Sequence, residues 1–366
     1  MDRAGLLVRR FPVVVFLSIL GLAVLPLPAA VGGAGPTVVA SGLLSPRGLA
    51  IGAEGSFFVV EAGKGGARPC GVGPLGEMCV GRTGHLTHVS AGTLDRLIRL
   101  SSIALEDGST AFGPHDVALS EAGPLFATIG LGGHLETREQ FGQRGAMLGT
   151  LVRVTQAGRV RIIADLAAFE DENDPAGDGV DSDPYAILRE GTRNIVTDAG
   201  GNSLLRVSDR GRIRTIAVFP NRDVDFEGEP FSMDSVPTGV VRGPDGALYV
   251  GELTGFPFPV GEARVYRVVP GQDPEVWATG FTNVIDIAFD AAGNLYVVEI
   301  AHNSLASDAP TGAVLRVSPD GSTTTVVLDQ GLSFPTSVAI AENGNLLVTN
   351  CGVCPGDGEV LEIDVP

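Results

Sequence analysis

The sequence predicts an all-β fold, a six-bladed β-propeller of four-stranded antiparallel blades, and three observations carry that prediction. Of 366 residues, 51 are Gly and 24 are Pro, with no collagen-like period, a composition of many short elements joined by tight turns. A segment of alternating apolar residues recurs six times after residue 36, as a blade-type repeat requires. The two ends of the chain also carry complementary parts of one repeat unit. With 44% hydrophobic and 19% charged residues, the chain is far too apolar for a disordered protein.

The first segment belongs to export rather than to the fold. Arg3, Arg9 and Arg10 precede an apolar run from Phe11 to Leu25, which is followed by Pro26, Pro28 and Ala29-Ala30. This is the pattern of a signal peptide over residues 1–30, and the run is shorter than the roughly 20 residues of a spanning helix. The expectation is a secreted or extracytoplasmic protein with no membrane span after cleavage; a retained anchor is the alternative.

The repeats then follow in order. Their lead positions are Pro46, Pro114, Pro184, Pro237, Val284 and Pro335, separated by 68, 70, 53, 47 and 51 residues. The clearest copies run from Val236 to Glu252 and from Phe334 to Asn350; the others cover Ser45 to Glu61, Gly113 to Ile129, Asp183 to Asp198 and Asn283 to Glu299. Each is an apolar strand, a Gly/Asn/Asp turn and a second β-rich strand such as Leu248-Tyr249-Val250, which is a hairpin signal. Third and fourth strands follow, as in Ser203 to Val207 with Ile213 to Val218. Four antiparallel strands repeated six times make a propeller.

The last copy stops at a third strand, Glu359 to Val365, while Thr37 to Leu43 resembles the fourth strands of other copies. The N-terminal strand is therefore expected to complete the last blade and close the ring, leaving no long open edge. Residues 36–366 make one domain of 331 residues, and its surplus length falls in insertions at 62–83, 130–148 and 166–182.

Charge narrows the partners. The formal net charge is −18, with 43 acidic against 25 basic residues and Lys64 as the single lysine, so a basic nucleic-acid or anionic-membrane surface is not expected. A small-molecule or protein partner at the rim of the central channel, bound by a monomer, is.

At this point the residues carry a resemblance. The pattern Pro-x-Gly-Val-x-x-x-x-Asp-Gly-x-Leu-Tyr-Val-x-Glu resembles the NHL type of six-bladed propeller. Asp181-Ser-Asp-Pro-Tyr185, Val196 to Val207 and Gly113-Pro-His-Asp-Val117 resemble the ScyD/ScyE family of exported bacterial proteins. That resemblance implies an exported propeller, named from genes beside those for an indole-derived sunscreen pigment. Related propellers include metal-dependent lactonases, strictosidine-synthase-like proteins and binding scaffolds, so fold alone leaves the chemistry open.

Candidate residues follow from position in the repeat. Arg47, His115, Tyr185, Thr238 and Thr336 stand just after the lead residues and should converge near the axis, where they either grip a polar ligand or plug the channel by hydrogen bonding. The second strands end in Glu61, Asp198, Glu252, Glu299 and Asn350, with Asn202 four residues beyond Asp198. Such carboxylates either cap the following turn or hold Ca²⁺ through hard oxygen ligands. Glu170 to Asp183 packs seven carboxylates into 14 residues; it reads as a solvated loop or as a calcium site, with Asp181 and Asp183 the named ligands. No catalytic residue is assigned and no cofactor other than Ca²⁺ is suggested.

Four cysteines in an exported chain favour two disulfides, expected as Cys70 with Cys79 and Cys351 with Cys354. Crossed pairing and a Cys₄ zinc site are the competing readings. The sequence has no Gly-x-Ser-x-Gly elbow, no His-Glu-x-x-His helix and no phosphate loop, which removes the hydrolase, zincin and nucleotide-binding classes that depend on them. The expected function is a binding or scaffold protein; the alternatives are a metal-dependent hydrolase or lyase and a structural envelope protein.

Overall fold

A computed structural model describes residues 35–365; the expected signal peptide lies outside the described residues. The inner strands of blades 1 to 5 begin at the lead residues, as Pro46–Ile51, Pro114–Leu119, Pro184–Glu190, Pro237–Arg242 and Val284–Phe289, and that of blade 6 begins two residues after Pro335, as Ser337–Ile340. A leading proline suits this place because it needs no ladder partner for an N–H it does not have. In blades 1 to 5 the register slips just after the lead residue. Such a bulge bends the strand and re-aims the side chain beside it.

Each inner strand pairs with a second strand, then a third and a fourth, giving six antiparallel blade sheets, the first of which adds a fifth strand, Cys70–Gly73. The last contains Ser337–Ile340, Leu346–Asn350, Gly358–Ile363 and, as its outer strand, Thr37–Leu43. Thr37 lies opposite Glu362 and Leu43 opposite Gly358, so the N-terminal strand closes the ring as the sequence predicts. The six inner strands neighbour one another in a closed circle.

The core is divided in the same way. One apolar cluster fills each of the six gaps between blades: Val60 and Leu86 meet Val117 and Val152 between blades 1 and 2, and Leu49 and Val59 meet Ala40 and Val360 between blades 6 and 1. Side chains alternate across each strand, so both faces of every sheet are apolar and each blade is held from two sides. Burial of apolar area at about 25 cal/mol per Å² thus stabilises the circle at every joint.

Antiparallel pairing places the ends of the second strands beside the beginnings of the inner ones: Pro46 faces Glu61, Pro184 faces Asp198, Pro237 faces Glu252 and Val284 faces Glu299. Every connection from a fourth strand to the next blade, and every connection from a second to a third strand, therefore emerges at one end of the ring. All three insertions lie there, while the opposite end carries short turns such as 191–192 and 209–212.

One expectation needs correction. The acidic stretch is loop only in part: Leu166–Asn173 forms a helix, capped by Asp165, whose side chain accepts the Ala168 N–H at 3.1 Å, while residues 174–181 remain a loop. Asp165 also takes both arms of Arg138, at 2.8 Å each, from the short helix Leu135–Glu139 in the neighbouring insertion. The connection after blade 3 also holds a hairpin, Arg222–Phe226 with Glu229–Met233. Glu227 and Gly228 at its tip both have positive φ, the two-residue turn that suits twisted strands.

Cys70 is bonded to Cys79 and Cys351 to Cys354. With each sulfur in a disulfide, the Cys₄ zinc reading and the crossed pairing both fall. The Cys354 carbonyl accepts the Ser45 N–H at 2.8 Å, tying the last blade's loop to the entrance of the first. No helix among the described residues is long and apolar enough to cross a membrane.

Candidate functional site

At the loop-bearing end of the axis the first three blades contribute Arg47, His115 and Tyr185. Arg47 is 8% exposed and donates to the Gly352 carbonyl and, at 3.0 Å, to that of Ala111. Burial lowers its pKa, while Tyr185 and Asp183 oppose that shift. The His115 ring lies 5.0 Å from that of Tyr185 and 6.1 Å from that of Phe112. Its Nδ1 is 3.6 Å from Asp183 Oδ1, too far for a hydrogen bond, and is a buried atom without a partner. The contact is not an ion pair, because burial and the Arg47 charge push the His115 pKa down to about 3.

Asp183 accepts the Leu131 N–H at 3.0 Å, and burial and the nearby Asp198 raise its pKa. Gly130 makes room for this pair: a Cβ there would stand 2.1 Å from His115 Cε1 and 2.5 Å from Asp183 Oδ1. Burial also drives the Tyr185 phenol upward. The axial groups of blades 1 to 3 are thus a fixed guanidinium facing a neutral imidazole, a phenol and a carboxyl group.

The remaining predicted site residues serve as joints between strands and loops. The Thr238 hydroxyl donates to the Val284 carbonyl at 2.8 Å and that of Thr336 to the Pro46 carbonyl at 2.8 Å; both join an inner strand to the next blade. Glu252 receives both arms of Arg222, the Ser235 hydroxyl at 2.8 Å and the Tyr266 phenol at 3.0 Å. Glu299 takes the Thr282 N–H at 2.7 Å and contacts His302 Nδ1. Asp198 accepts the Ser182 hydroxyl and the Asp183 N–H, each at 2.7 Å. Asn202 donates to Asp178 at 2.8 Å and accepts the Val236 N–H at 2.8 Å.

These strand-end groups do not chiefly cap the turn that follows them. Glu61 accepts the Leu44 N–H at 2.7 Å and Asn350 that of Ser333 at 2.8 Å: both hold the segment leading into their own inner strand. The reason is the pairing, which sets the end of strand two beside the entrance of strand one. Asp198 does both, since it also accepts the Gly201 N–H at 3.2 Å.

Among the described residues, the one group of three metal-ligating side chains whose ligand atoms lie within 4.8 Å of one another is Cys70, Glu77 and Cys79, and its cysteines form a disulfide. Asp183 is directed to His115 and Leu131, whereas Asp181 lies against Gly200. Beside them Glu170 is fully buried, with neither carboxylate oxygen hydrogen-bonded. Desolvation and the charges of Asp198, Asp174, Asp178 and Asp181 raise its pKa to about 8.

Two functional residues of the ring were not singled out from sequence. Asp116 accepts the Ile187 N–H of blade 3 at 2.8 Å, and Asp286 accepts the Val338 N–H of blade 6 at 3.0 Å with the Ser337 hydroxyl at 2.6 Å. Each packs on a glycine of the preceding blade, Gly48 or Gly239, where a Cβ would fall 2.0 or 2.6 Å from a carboxylate oxygen. The signal was present. The residues two beyond the lead positions read Gly48, Asp116, Ala186 and then Gly239, Asp286, Ser337, one device written twice.

Neither a family model nor a curated protein matches the chain. Solved structures do. A Thermus thermophilus protein assigned as an oxidoreductase of the glucose dehydrogenase kind is 19% identical, with 91% of this chain and all of that one covered at a TM-score of 0.56. A protein of unknown function from Bacteroides thetaiotaomicron is 10% identical over 90% of this chain and 72% of its own, at 0.55. A protein assigned as a gluconolactonase is 14% identical over 91% and 94%, at 0.52. At these identities the likeness concerns architecture alone, that of the six-bladed propeller.

Proposed function

We propose that this is an exported, non-catalytic propeller of the ScyD/ScyE type that binds a small molecule or a protein segment on its loop-bearing end. The observation that carries the reading is the axial lining. Arg47 supplies a permanent, buried positive charge, His115 and Tyr185 supply flat faces, and every insertion rises around them. A carboxylate or another electron-rich planar group suits this arrangement, since a guanidinium meets both by hydrogen bonding and stacking.

The same charge weighs against the metal-dependent hydrolase alternative. A cation at the axis would face the Arg47 guanidinium, and the carboxylates nearest the inner strands, Asp116 and Asp286, already accept backbone N–H bonds. The residues present do not fit an axial metal, and no reaction step is assigned to one. His115, neutral down to about pH 3, is suited to orient a ligand across the physiological range without changing charge.

Native mass spectrometry of the mature protein with elemental analysis tests the reading. The expected result is a retained organic ligand or protein partner, lost at least tenfold in Arg47→Gln, with no stoichiometric axial metal. Turnover that a chelator abolishes would replace binding by catalysis.

A further inference from the structure

Blade 3 carries a feature at the opposite end of the ring that neither the axis nor the core uses. Arg206, in the third strand Ser203–Ser208, lies directly across from Arg214 in the fourth strand Ile213–Val218. Arg193 lies across from Ser208. Together with Arg212, these side chains line a cleft of about 270 Å³. None of the four has a carboxylate partner among the described ion pairs.

The arrangement is unusual against the other blades. The third-strand position of Arg206 is filled by Arg153, Arg267 and Arg316 in blades 2, 4 and 5, each opposite an aromatic residue of the second strand: Phe126, Tyr249 and Tyr296. Arg153 lies 5.9 Å from the Phe126 ring centre, and Arg267 pairs with Asp245 at 2.7 Å and with Glu275 across the strand at 3.3 Å. In blade 3 the second-strand neighbour is the aliphatic Ile195 and the fourth-strand neighbour is another arginine. Like charges directly opposite in a sheet are unfavourable.

Local acids do not relieve the repulsion. Asp209, in the adjoining turn, is held bidentately by Arg189, and Glu190, across from Arg193, accepts two donors of Arg242 on one oxygen. Four guanidinium groups are left facing one cleft in a protein with a net charge of −18, where acidic residues are the commonest available neighbours. Planar guanidinium forks match the oxygens of phosphate and sulfate and bind them in pairs.

We propose that the blade 3 cleft is a binding site for a multiply charged oxyanion group, a phosphate or sulfate, held by Arg193, Arg206, Arg212 and Arg214. The group arrives either as a free ion or attached to an anionic polymer outside the cell. The site is independent of the axial reading, being at the other end of the ring.

The test uses the mature protein at low ionic strength, titrated by calorimetry with sodium phosphate, sodium sulfate and dextran sulfate. The double variant Arg206→Gln/Arg214→Gln is compared with the wild type, and circular dichroism and thermal unfolding confirm that it folds. Expected is a saturable oxyanion complex that weakens at least tenfold in the double variant and more steeply with salt in the wild type. Tighter binding of dextran sulfate than of free sulfate, lost in the same variant, assigns the polymer-borne group; equal affinity per sulfate assigns the free ion. The proposal is overturned if neither probe binds, or if wild type and a folded double variant bind alike. Should the double variant not fold, Arg212→Gln alone is expected to weaken binding about threefold, and an unchanged affinity there also overturns it.

Discussion

Blades 1 to 3 and blades 4 to 6 share one frame and line the axis with different chemistry. Both halves repeat Gly, Asp and a small residue two places beyond the lead, and in both the Asp joins its blade to the next. Blades 1 and 4 also match, since Glu61 is held bidentately by Arg96 and Glu252 by Arg222. One place beyond the lead, however, the first half has Arg47, His115 and Tyr185, and the second has Thr238, Ile285 and Thr336. The two threonines spend their hydroxyls on neighbouring backbone carbonyls, and Arg47 likewise donates to those of Gly352 and Ala111, but only the first half adds a buried cation and two rings, His115 and Tyr185, 5.0 Å apart. The predicted insertions and the arginine cleft also belong to blades 1 to 3. The backbone joints of this ring are alike in both halves, whereas the charged and aromatic axial groups, the insertions and the arginine cleft lie in one.

The largest expected effect breaks the shared frame. Glu252→Ala leaves Arg222 as an uncompensated, largely buried charge and should cost about 4 kcal/mol in denaturant unfolding. Glu61→Ala should cost less, because Arg96 is 36% exposed against 15% for Arg222 and water can solvate it. An equal or reversed order would contradict the ion-pair account.

Next come the aspartates that join blades. Asp116→Ala and Asp286→Ala each strand a buried N–H of the neighbouring blade, and each should lower stability by about 3 kcal/mol. A difference above about 1.5 kcal/mol between them would end the description of the two halves as one device.

Glu170→Gln sharpens the contrast from the first half and runs the other way. The folded protein keeps this carboxyl protonated up to about pH 8, against 4.5 for an ordinary glutamate. The unfolded chain releases the proton first, so stability falls as pH rises from about 4.5 towards 8. The glutamine variant lacks that loss and should be more stable than the wild type by about 2 kcal/mol at pH 8.5, with no gain near pH 4. Melting curves at the two pH values check the sign. A wild type that gains this stability on adding Ca²⁺ at pH 8.5 would instead give Glu170 a bound cation.

Much of the fold was legible because each blade writes its own hairpin in the chain. Pro237 to Glu252 contains both strands and the turn between them, and Thr37 to Leu43 bears the mark of a fourth strand without its blade. The axial positions of Arg47, His115 and Tyr185 followed from the same register. The roles of Glu252, Glu299 and Asn202 did not. Their position in the repeat was visible, but Arg222 lies 30 residues before Glu252 and Val236 lies 34 after Asn202, and nothing local links the members of either pair. The helix Leu166–Asn173 was obscured by its acidic composition, and its hold on the ring through Arg138 and Asp165 depends on a second insertion 27 residues away.

The sequence by itself determined the number of blades, the order of their strands and the closure of the ring, because period-two alternation and turn residues act over a few positions at a time. Tertiary structure alone decided which charges became joints and which stayed available. Closing the circle brings Arg222 onto Glu252 and Arg242 onto Glu190, but among the described ion pairs it brings no acid to Arg206 and Arg214. Charges interact through space at distances of a few ångströms, and only the closed ring sets those distances.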